Sequence, residues 1–129
     1  MANRVEPGKR PLSSMAPTLV FDRAGRLRFV LGSVGGSRII GDVAQALVAL
    51  LDWGVDPATA AAAPHVSTRG DSADLEAGTA VAALAPALEA RGQTVRRYTS
   101  ISGLAIIALS PEGLLGAADP RREGVAAGD

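Results

Sequence analysis

Cysteine is absent from the 129 residues of this chain, and histidine occurs once, as His65. Without cysteine the chain can form no disulfide, no thiolate nucleophile and no cysteine-based zinc site, and its redox compartment cannot be inferred. A single histidine argues against a histidine-based metal cluster and against a Ser–His catalytic pair within the chain. We therefore expect neither a metal nor another cofactor.

Aromatic residues and net charge are also scarce. Aromatic side chains make up 3% of the chain, and 13 basic residues balance 13 acidic ones. Nothing in this composition draws the chain to nucleic acid or to an anionic membrane surface, and few rings are available to stack on bases. Apolar runs such as residues 43–51 are too short to span a membrane. We expect no nucleic-acid partner and no membrane partner.

Small and aliphatic residues are abundant instead. Hydrophobic residues form 47% of the chain, which is enough for one domain with a closely packed core. Alternating apolar residues predict two strands, at 17–22 and 26–33, joined by a turn that contains Gly25. From residue 39 to residue 51 the apolar residues recur at helical spacing, so we predict a helix that ends before Gly54.

The second half of the chain predicts shorter elements. They are a short helix at 57–63, a polar loop at 67–74, a helical stretch at 79–91, strands at 94–98 and 103–109, and a last strand near 114–118. Pro86 lies in the middle of the helical stretch, so the helix is either kinked there or a shorter helix begins at Pro86. The order β-β-α-α-α-β-β-β predicts an α+β fold with a mainly antiparallel sheet.

The stretch LGSVGGSR, residues 31–38, places glycines between a predicted strand and a predicted helix. Its spacing is neither that of the dinucleotide-binding fingerprint nor that of a phosphate-binding P-loop. Backbone N–H groups that stay free in such a turn can stabilise a carbonyl oxygen as it becomes negative. The alternative is that the glycines only allow the strand and the helix to pack closely.

The stretch PGKRPLSSM, residues 7–15, surrounds two adjacent serines with turn-forming residues. Proline fixes φ and glycine permits tight turns, so this backbone is suited to holding two hydroxyl groups in one place. The alternative is a surface loop that happens to contain serines.

Together, three stretches resemble one family: NRVEPGKRPLSSMAPTLV, LGSVGGSRII and GAADPRREG. They are similar to the C-terminal part of the small subunit of γ-glutamyltranspeptidases, which are N-terminal-nucleophile hydrolases. The resemblance covers nearly the whole chain. It implies that residues 1–129 form a single domain, a C-terminal fragment of such a subunit, and contribute part of an αββα sandwich.

The resemblance also implies roles for individual residues. In this family, self-cleavage exposes an N-terminal threonine whose hydroxyl attacks a γ-glutamyl amide such as glutathione, and water or an acceptor amine then takes the glutamyl group. By the resemblance, Ser13 and Ser14 bind the α-carboxylate end of the glutamyl group, and Gly35 and Gly36 form the oxyanion hole. The implied partners are the γ-glutamyl substrate, the rest of the small subunit and the large subunit.

The sequence also departs from the family pattern. The segment that carries the nucleophilic threonine has no counterpart here, so we expect the isolated chain to be inactive. Beyond Pro64, family members often carry arginine followed by a histidine pair, whereas this chain reads His65-Val66-Ser67. We expect His65 to be a structural or a surface residue rather than a catalytic one.

Two other functions remain open at this point. One is an acylase of the same superfamily that acts on glutaryl amides. The other is a non-catalytic module that pairs with a partner chain or with itself, since part of a sandwich exposes apolar sheet surface. The resemblance to a bacterial branch of the family implies a periplasmic or secreted protein.

Overall fold

The computed structural model describes residues 4–10 and 13–128, apart from the side chain of Arg69. Positions 11 and 12 of the predicted serine loop lie outside the described residues, as does Asn3, where the resemblance to the family begins. The described elements, in chain order, are β1 (Thr18–Phe21), β2 (Leu27–Gly32), a 3-10 helix (Gly36–Arg38), α1 (Ile39–Leu51), α2 (Pro57–Ala62), β3 (Val66–Arg69), β4 (Ser72–Glu76), a second 3-10 helix (Ala80–Leu84), α3 (Ala85–Glu89), β5 (Thr94–Tyr98), β6 (Ala105–Ser110) and β7 (Gly113–Ala118).

The larger sheet has four strands in the order β1-β2-β6-β7, and each neighbouring pair is antiparallel. The register places Leu31 opposite Ile106, and Ile106 opposite Ala117. These three side chains are buried and form a row across the inner face of the sheet. The strands predicted at 17–22, 26–33, 103–109 and 114–118 are therefore confirmed, and three of the four carry this row.

Helices α1 and α2 cover the inner face of this sheet. The core residues of α1 recur at helical spacing, and α2 contributes two buried alanines whose small side chains permit a close approach to β6 and β7. Asp56 caps α2 by accepting hydrogen bonds from the backbone N–H groups of Ala58 and Thr59, and Pro57 occupies the first turn. The two predicted helices are confirmed. No helix among the described residues is long and apolar enough to cross a membrane.

A second, smaller sheet corrects the sequence-based prediction. The polar stretch at 67–74, predicted as a loop, forms most of the β3–β4 hairpin, and β5 adds to β4 in parallel orientation. Three polar side chains of β4 are buried: Ser72, Asp74 and Glu76. Strand rules look for apolar residues at buried positions, and here carboxylates occupy them because arginines from other elements pair with them.

The connection between β4 and β5 resolves the position of Pro86. A 3-10 helix covers Ala80–Leu84, and α3 begins at Ala85 with Pro86 in its first turn. Proline is tolerated there because the N–H groups of the first turn have no partner within the helix. Of the two predictions for this stretch, the shorter helix is confirmed to within one residue.

The outer face of the larger sheet carries exposed apolar side chains. Leu19, Phe21, Ile107 and Leu114 each expose about half of their surface or more, at 59%, 55%, 42% and 73%. A Cβ at Gly116 would lie 2.8 Å from the Cβ of Ala126, so this glycine lets the chain after β7 pack against the same face. The sheet thus has one face covered by helices and one face that remains largely apolar and open.

The two faces can be compared at neighbouring positions on β6. Ile106 is 1% exposed and Ile107 is 42% exposed. We expect Ile106→Ala to lower the free energy of unfolding by about 2–5 kcal/mol, because it removes buried methyl groups and leaves a cavity. Ile107→Ala should cost clearly less. Urea unfolding followed by circular dichroism measures both, and equal losses would contradict this assignment of the faces.

Candidate active site

Four strand ends of the larger sheet meet at one edge. Thr18 at the start of β1 pairs with Leu31 near the end of β2, and Ala105 at the start of β6 pairs with Gly32 and with Ala118 at the end of β7. The loops that leave these ends therefore lie at the same edge of the sheet. They carry both pairs predicted from the sequence, Ser13-Ser14 and Gly35-Gly36, together with Ser102 and Asp119.

The glycine turn follows β2 and leads into α1 through the first 3-10 helix. Gly35 has φ +136° and Gly36 has φ +62°, values at which a side chain strains the backbone. Neither the Gly35 nor the Gly36 N–H group donates a hydrogen bond to an acceptor among residues 4–10 and 13–128. The turn therefore presents two consecutive free backbone donors at the start of a helix, where partial positive charge collects.

The serine pair lies just before β1. Ser13 is exposed, and its Oγ accepts the N–H of Met15 at 3.5 Å, while Ser14 is partly buried. Within the part of the chain that the structure describes, neither serine hydrogen-bonds to the glycine turn. Strand register brings the two pairs to the same edge, and no direct contact joins them.

A series of neighbouring buried polar side chains lies behind the glycine turn. His65, 1% exposed, follows α2 and donates its backbone N–H to Glu76 Oε2 at 2.8 Å. Its ring Nε2 lies 2.8 Å from Ser102 Oγ, and Ser102 donates its hydroxyl to Asp119. On the other side, His65 Nδ1 lies 3.5 Å from Oδ1 of Asp42, a buried residue of α1. His65 is therefore a buried residue, and the alternative that it lies at the surface is wrong.

Asp42, His65 and Ser102 have the order of a Ser–His–Asp triad, which corrects the expectation that no Ser–His pair forms. The arrangement is nevertheless not that of a nucleophile. Ser102 is 1% exposed, so its oxygen has no access to a substrate, and its hydroxyl donates a hydrogen bond to Asp119 rather than to His65. The three residues support the glycine turn from behind.

Arg121 links these polar groups through its hydrogen bonds. Its guanidinium donates to Glu76 Oε1 at 2.6 Å and Oε2 at 2.8 Å, to Asp119 Oδ1 at 3.0 Å, and to the carbonyl oxygen of Ala63 at 2.9 Å. The hydrogen bonds that Arg121 donates to Glu76 raise the pKa of Arg121 further, although burial opposes them. One arginine thus ties the loop after β7 to β4 and to the end of α2.

The same contacts set the ionisation of the carboxylates. Burial alone would raise the pKa of Glu76, but the donors of Arg121 and the backbone N–H of His65 outweigh it, and the pKa is lowered. Burial would also raise the pKa of Asp119. The hydrogen bonds that Asp119 accepts from the Ser102 hydroxyl and from N–H groups of Arg121 outweigh burial, so its pKa is lowered as well. Both groups are therefore carboxylates at neutral pH.

A second cluster borders the glycine turn on the side of the smaller sheet. Asp74 of β4 accepts hydrogen bonds from Arg38, from Ser72 Oγ at 3.0 Å, and from Arg96 Nε at 2.9 Å. Burial would raise the pKa of Asp74, and these donors lower it instead. The Arg38 guanidinium also stacks 4.1 Å above the centroid of the Tyr98 ring. Arg38 thereby fixes the first turn after the glycines against β4 and β5.

No cluster of potential metal ligands occurs among the described residues. The buried carboxylates Asp74, Glu76 and Asp119 are each engaged by arginine side chains. These ion pairs stabilise the loops that the carboxylates join.

Comparison with known proteins identifies the fold and then the family. The structure matches a γ-glutamyltranspeptidase from Pseudomonas nitroreducens complexed with L-DON at a TM-score of 0.84 and 34% identity, covering 100% of this chain and 69% of that chain. The fold is therefore that of the N-terminal-nucleophile hydrolases. The profile of the γ-glutamyltranspeptidase family matches residues 1–129, and the chain belongs to that family.

Two relatives with different names match nearly the whole chain. A glutathione hydrolase proenzyme of Escherichia coli K12 is 43% identical over 123 residues, which cover 93% of this chain and 21% of that protein. An acylase ACY 1 proenzyme of Pseudomonas sp. SE83 is 40% identical over 122 residues, which cover 93% of this chain and 22% of that protein. The chain thus spans about a fifth of the length of the curated relatives it matches.

The polar residues behind the glycine turn were not predicted from the sequence. One signal for them was present: Asp42 lies between Ile39 and Val43 on the apolar side of α1, where a charged residue needs a partner. Ser102, Asp119 and Arg121 gave no comparable signal, because Ser102 and Arg121 each have a partner far away in the sequence, His65 and Glu76.

We expect Arg121→Ala to destabilise the chain by about 3–5 kcal/mol, because it leaves Glu76 and Asp119 buried without their partner. Arg26→Ala is a suitable control, since Arg26 pairs with Asp22 in an exposed turn, and it should change stability little. Thermal and urea unfolding of both variants measure the difference. A loss at Arg121 no larger than the loss at Arg26 would contradict the role given to Arg121.

The pH dependence of stability provides a further readout of the same variant. Glu76 and Asp119 have lowered pKa values in the fold, so their contribution to stability is full above the ordinary carboxyl pKa of about 4 and is lost as the pH falls below it. In Arg121→Ala this acid-side loss should be smaller. An unchanged slope of unfolding free energy against pH would show that Arg121 does not set these pKa values.

Proposed function

We propose that this chain supplies half of the active site of an enzyme that transfers or hydrolyses γ-glutamyl amides such as glutathione. The glycine turn carries the proposal, because the N–H groups of Gly35 and Gly36 donate to no acceptor among the described residues and are both positioned by glycine-specific backbone angles. In this proposal they form the oxyanion hole. Ser13 and Ser14, at the same edge of the sheet, bind the α-carboxylate of the glutamyl group.

The chemistry requires a nucleophile from another segment. A threonine hydroxyl at a chain N-terminus attacks the carbonyl carbon of the γ-glutamyl amide, and the free α-amine accepts the hydroxyl proton. The carbonyl oxygen becomes negative and accepts hydrogen bonds from Gly35 and Gly36. The C–N bond then breaks, the proton passes to the leaving amine, and a γ-glutamyl ester remains. Water or an acceptor amine attacks that ester and releases the threonine.

The threonines of this chain do not fit the role of nucleophile. Each has a peptide bond on its N-terminal side, so none has the free α-amine that the mechanism uses. Thr18 and Thr59 illustrate this: Thr18 starts β1 and donates its hydroxyl to the carbonyl of Ala16, and Thr59 lies inside α2. The binding groups and the nucleophile therefore belong to different segments.

The open face of the larger sheet supports a role for a partner segment. In an αββα sandwich a second sheet packs against the face of the first sheet that no helix covers. Here that face carries Leu19, Phe21, Ile107 and Leu114. We propose that residues 1–129 form one domain of a small subunit and that the rest of that subunit and a large subunit complete the enzyme. Self-association through this face is the alternative.

The place of the enzyme in the cell is part of the same proposal. Because the bacterial members of the family are periplasmic or secreted, we propose that the full-length protein is exported.

An acylase acting on glutaryl amides is the second candidate. The 40% identity to an acylase ACY 1 proenzyme supports it, because that value is close to the identity with the glutathione hydrolase proenzyme. A glutaryl group lacks the α-amine of a γ-glutamyl group. Turnover of γ-glutamyl and glutaryl anilides by the full-length enzyme distinguishes the two, and the proposal expects clear preference for the γ-glutamyl substrate.

We expect Gly36→Ala in the full-length enzyme to lower kcat for a γ-glutamyl anilide by about 100- to 1,000-fold, because it displaces an oxyanion donor. Gly25→Ala is a matched control. Gly36 and Gly25 have similar angles, φ +62° and +77°, and neither Cβ would meet an atom within 4 Å. Both variants therefore introduce similar strain, but Gly25 lies in the β1–β2 turn at the opposite end of the strands. Equal activity of the two variants would refute the oxyanion role.

For the serine pair we expect an effect on substrate binding. Ser13→Ala and Ser14→Ala should raise KM for a γ-glutamyl anilide about tenfold each, because each removes a hydroxyl donor to the carboxylate. Ser110→Ala is the control: Ser110 Oγ accepts the N–H two residues ahead, as Ser13 Oγ does, but at the other end of the sheet. A carboxylate-free analogue should show no effect of the serine substitutions, and an equal effect would contradict the assignment.

A further inference from the structure

The connection between β5 and β6 packs directly against the glycine turn. A Cβ built on Gly35 would lie 3.8 Å from the carbonyl oxygen of Ile101 and 3.8 Å from Cα of Ser102. A Cβ built on Gly103 would lie 2.6 Å from Cγ2 of Val34, the residue that precedes Gly35. The two backbone segments are therefore in close contact, and no side chain at position 103 separates them.

Space, and not backbone angle, favours glycine at position 103. The φ of Gly103 lies outside the left-handed region, so an alanine there would not strain its own backbone. Its Cβ would instead lie between Val34 Cγ2 and the side chain of Arg122, whose Cγ is 3.1 Å away. Two carbons in favourable contact are about 3.5–4.0 Å apart, so at 2.6 Å one of the neighbours has to move.

Arg122 is held in place, so the movement falls on Val34. Arg122 Nη2 donates to the carbonyl oxygen of Ile101 at 2.8 Å, and Arg122 Nε donates to that of Ser102 at 3.3 Å. Ser102 is itself anchored by the hydrogen bond from its hydroxyl to the buried Asp119. Val34 is 50% exposed, and its β-branched side chain has few alternative rotamers. A methyl group at position 103 would therefore displace Val34 and the glycine turn that follows it.

Ser33 also joins the two segments, through hydrogen bonds. Its Oγ accepts the backbone N–H of Gly103 at 3.3 Å and donates to the carbonyl oxygen of Val34 at 2.8 Å. This hydroxyl sets the separation between Gly103 and the backbone that leads into Gly35. The hydrogen bonds and the packing contact thus act on the same residue, Val34.

We propose that Gly103 is a positioning residue for the oxyanion turn. Its missing side chain lets the β5–β6 connection lie against Val34 and Gly35, and this contact fixes the direction of the N–H groups of Gly35 and Gly36. Oxyanion donors stabilise charge that develops in the transition state, so misdirecting them lowers kcat and leaves KM nearly unchanged. This inference rests on the proposed function, since it needs Gly35 and Gly36 to be the oxyanion donors.

The test adds a methyl group at position 103 and then removes the one that it would meet. In the full-length enzyme, Gly103→Ala should lower kcat for hydrolysis of a γ-glutamyl anilide by about 10- to 100-fold, because a misplacement of roughly 1 Å costs about 100-fold. KM should be nearly unchanged. When Gly103→Ala is combined with Val34→Ala, Cγ2 is absent and kcat should return to the value of Val34→Ala alone.

Gly41→Ala is the matched control. Gly41 lies near the turn at the start of α1, its φ is outside the left-handed region, and its Cβ would meet no atom within 4 Å. We expect it to keep the wild-type kcat. Thermal unfolding of each variant gives the folded fraction, and kcat is expressed per folded enzyme. If Gly103 is only structural, Gly103→Ala unfolds at lower temperature but keeps the kcat of Gly41→Ala, and this result would overturn the proposal.

The rescue is a second criterion. A folded double variant whose kcat stays as low as that of Gly103→Ala would show that the effect does not pass through Val34, and would likewise overturn the proposal. Should Gly103→Ala fail to fold, Ser33→Ala decides. It removes the hydroxyl that joins the two segments and should lower kcat about fivefold, the value of one ordinary hydrogen bond. A wild-type kcat in folded Ser33→Ala would then refute the proposal.

The result is kept separate from the test of the proposed function. If Gly36→Ala is as active as Gly25→Ala, the oxyanion assignment fails and Gly103 loses its role with it. If Gly36→Ala is inactive but Gly103→Ala keeps the wild-type kcat, only the present inference is refuted.

Discussion

The contact on which the site depends most is the one between Arg121 and its two carboxylates. Arg121 binds Glu76 through two nitrogens and Asp119 through a third, and it also reaches the carbonyl oxygens at the end of α2. A planar guanidinium is the side chain that can satisfy such a set of acceptors at once. Without it, three elements that enclose His65 would each leave buried acceptors unsatisfied, and the floor of the glycine turn would lose its fixed geometry.

At this edge of the larger sheet the polar side chains are buried, while the backbone N–H groups of the glycine turn stay exposed. Ser102 hydrogen-bonds to His65 and to Asp119, His65 Nδ1 lies 3.5 Å from Asp42, and Arg38 is fixed by Asp74 and Tyr98. None of these side chains competes for the N–H groups of Gly35 and Gly36. Donors held in this way need little reorganisation when negative charge develops next to them, which is the property that an oxyanion hole requires. Antiparallel register brings the loops of the serine and glycine pairs to the same edge, so in the function that we propose the two pairs supply complementary parts of one binding region.

The sequence predicts the larger sheet, α1 and α2 well because their residues follow simple periodicities, and the glycine and serine pairs could be found because they lie in recognisable local motifs. The smaller sheet could not be found in the same way. Its central strand buries Asp74 and Glu76, and only Arg38, Arg96 and Arg121, from distant parts of the chain, make that burial favourable. His65 illustrates the same limit: its character as a buried residue depends on Asp42 and Ser102, and no local pattern links the three. Of these residues, only Asp42 could be noticed from the sequence, because it is a charged residue on the apolar side of α1.

The spacing of these contacts along the chain has a consequence for biosynthesis. Gly103 bonds to Ser33 across 70 residues, and Arg121 reaches Glu76 across 45 residues. Contacts of such separation form late, since long loops must close first. The glycine turn is synthesised well before Ser102, Asp119 and Arg121, the residues that fix it from behind. A nascent chain therefore carries an unsupported glycine turn until Arg121 has been synthesised and has reached Glu76.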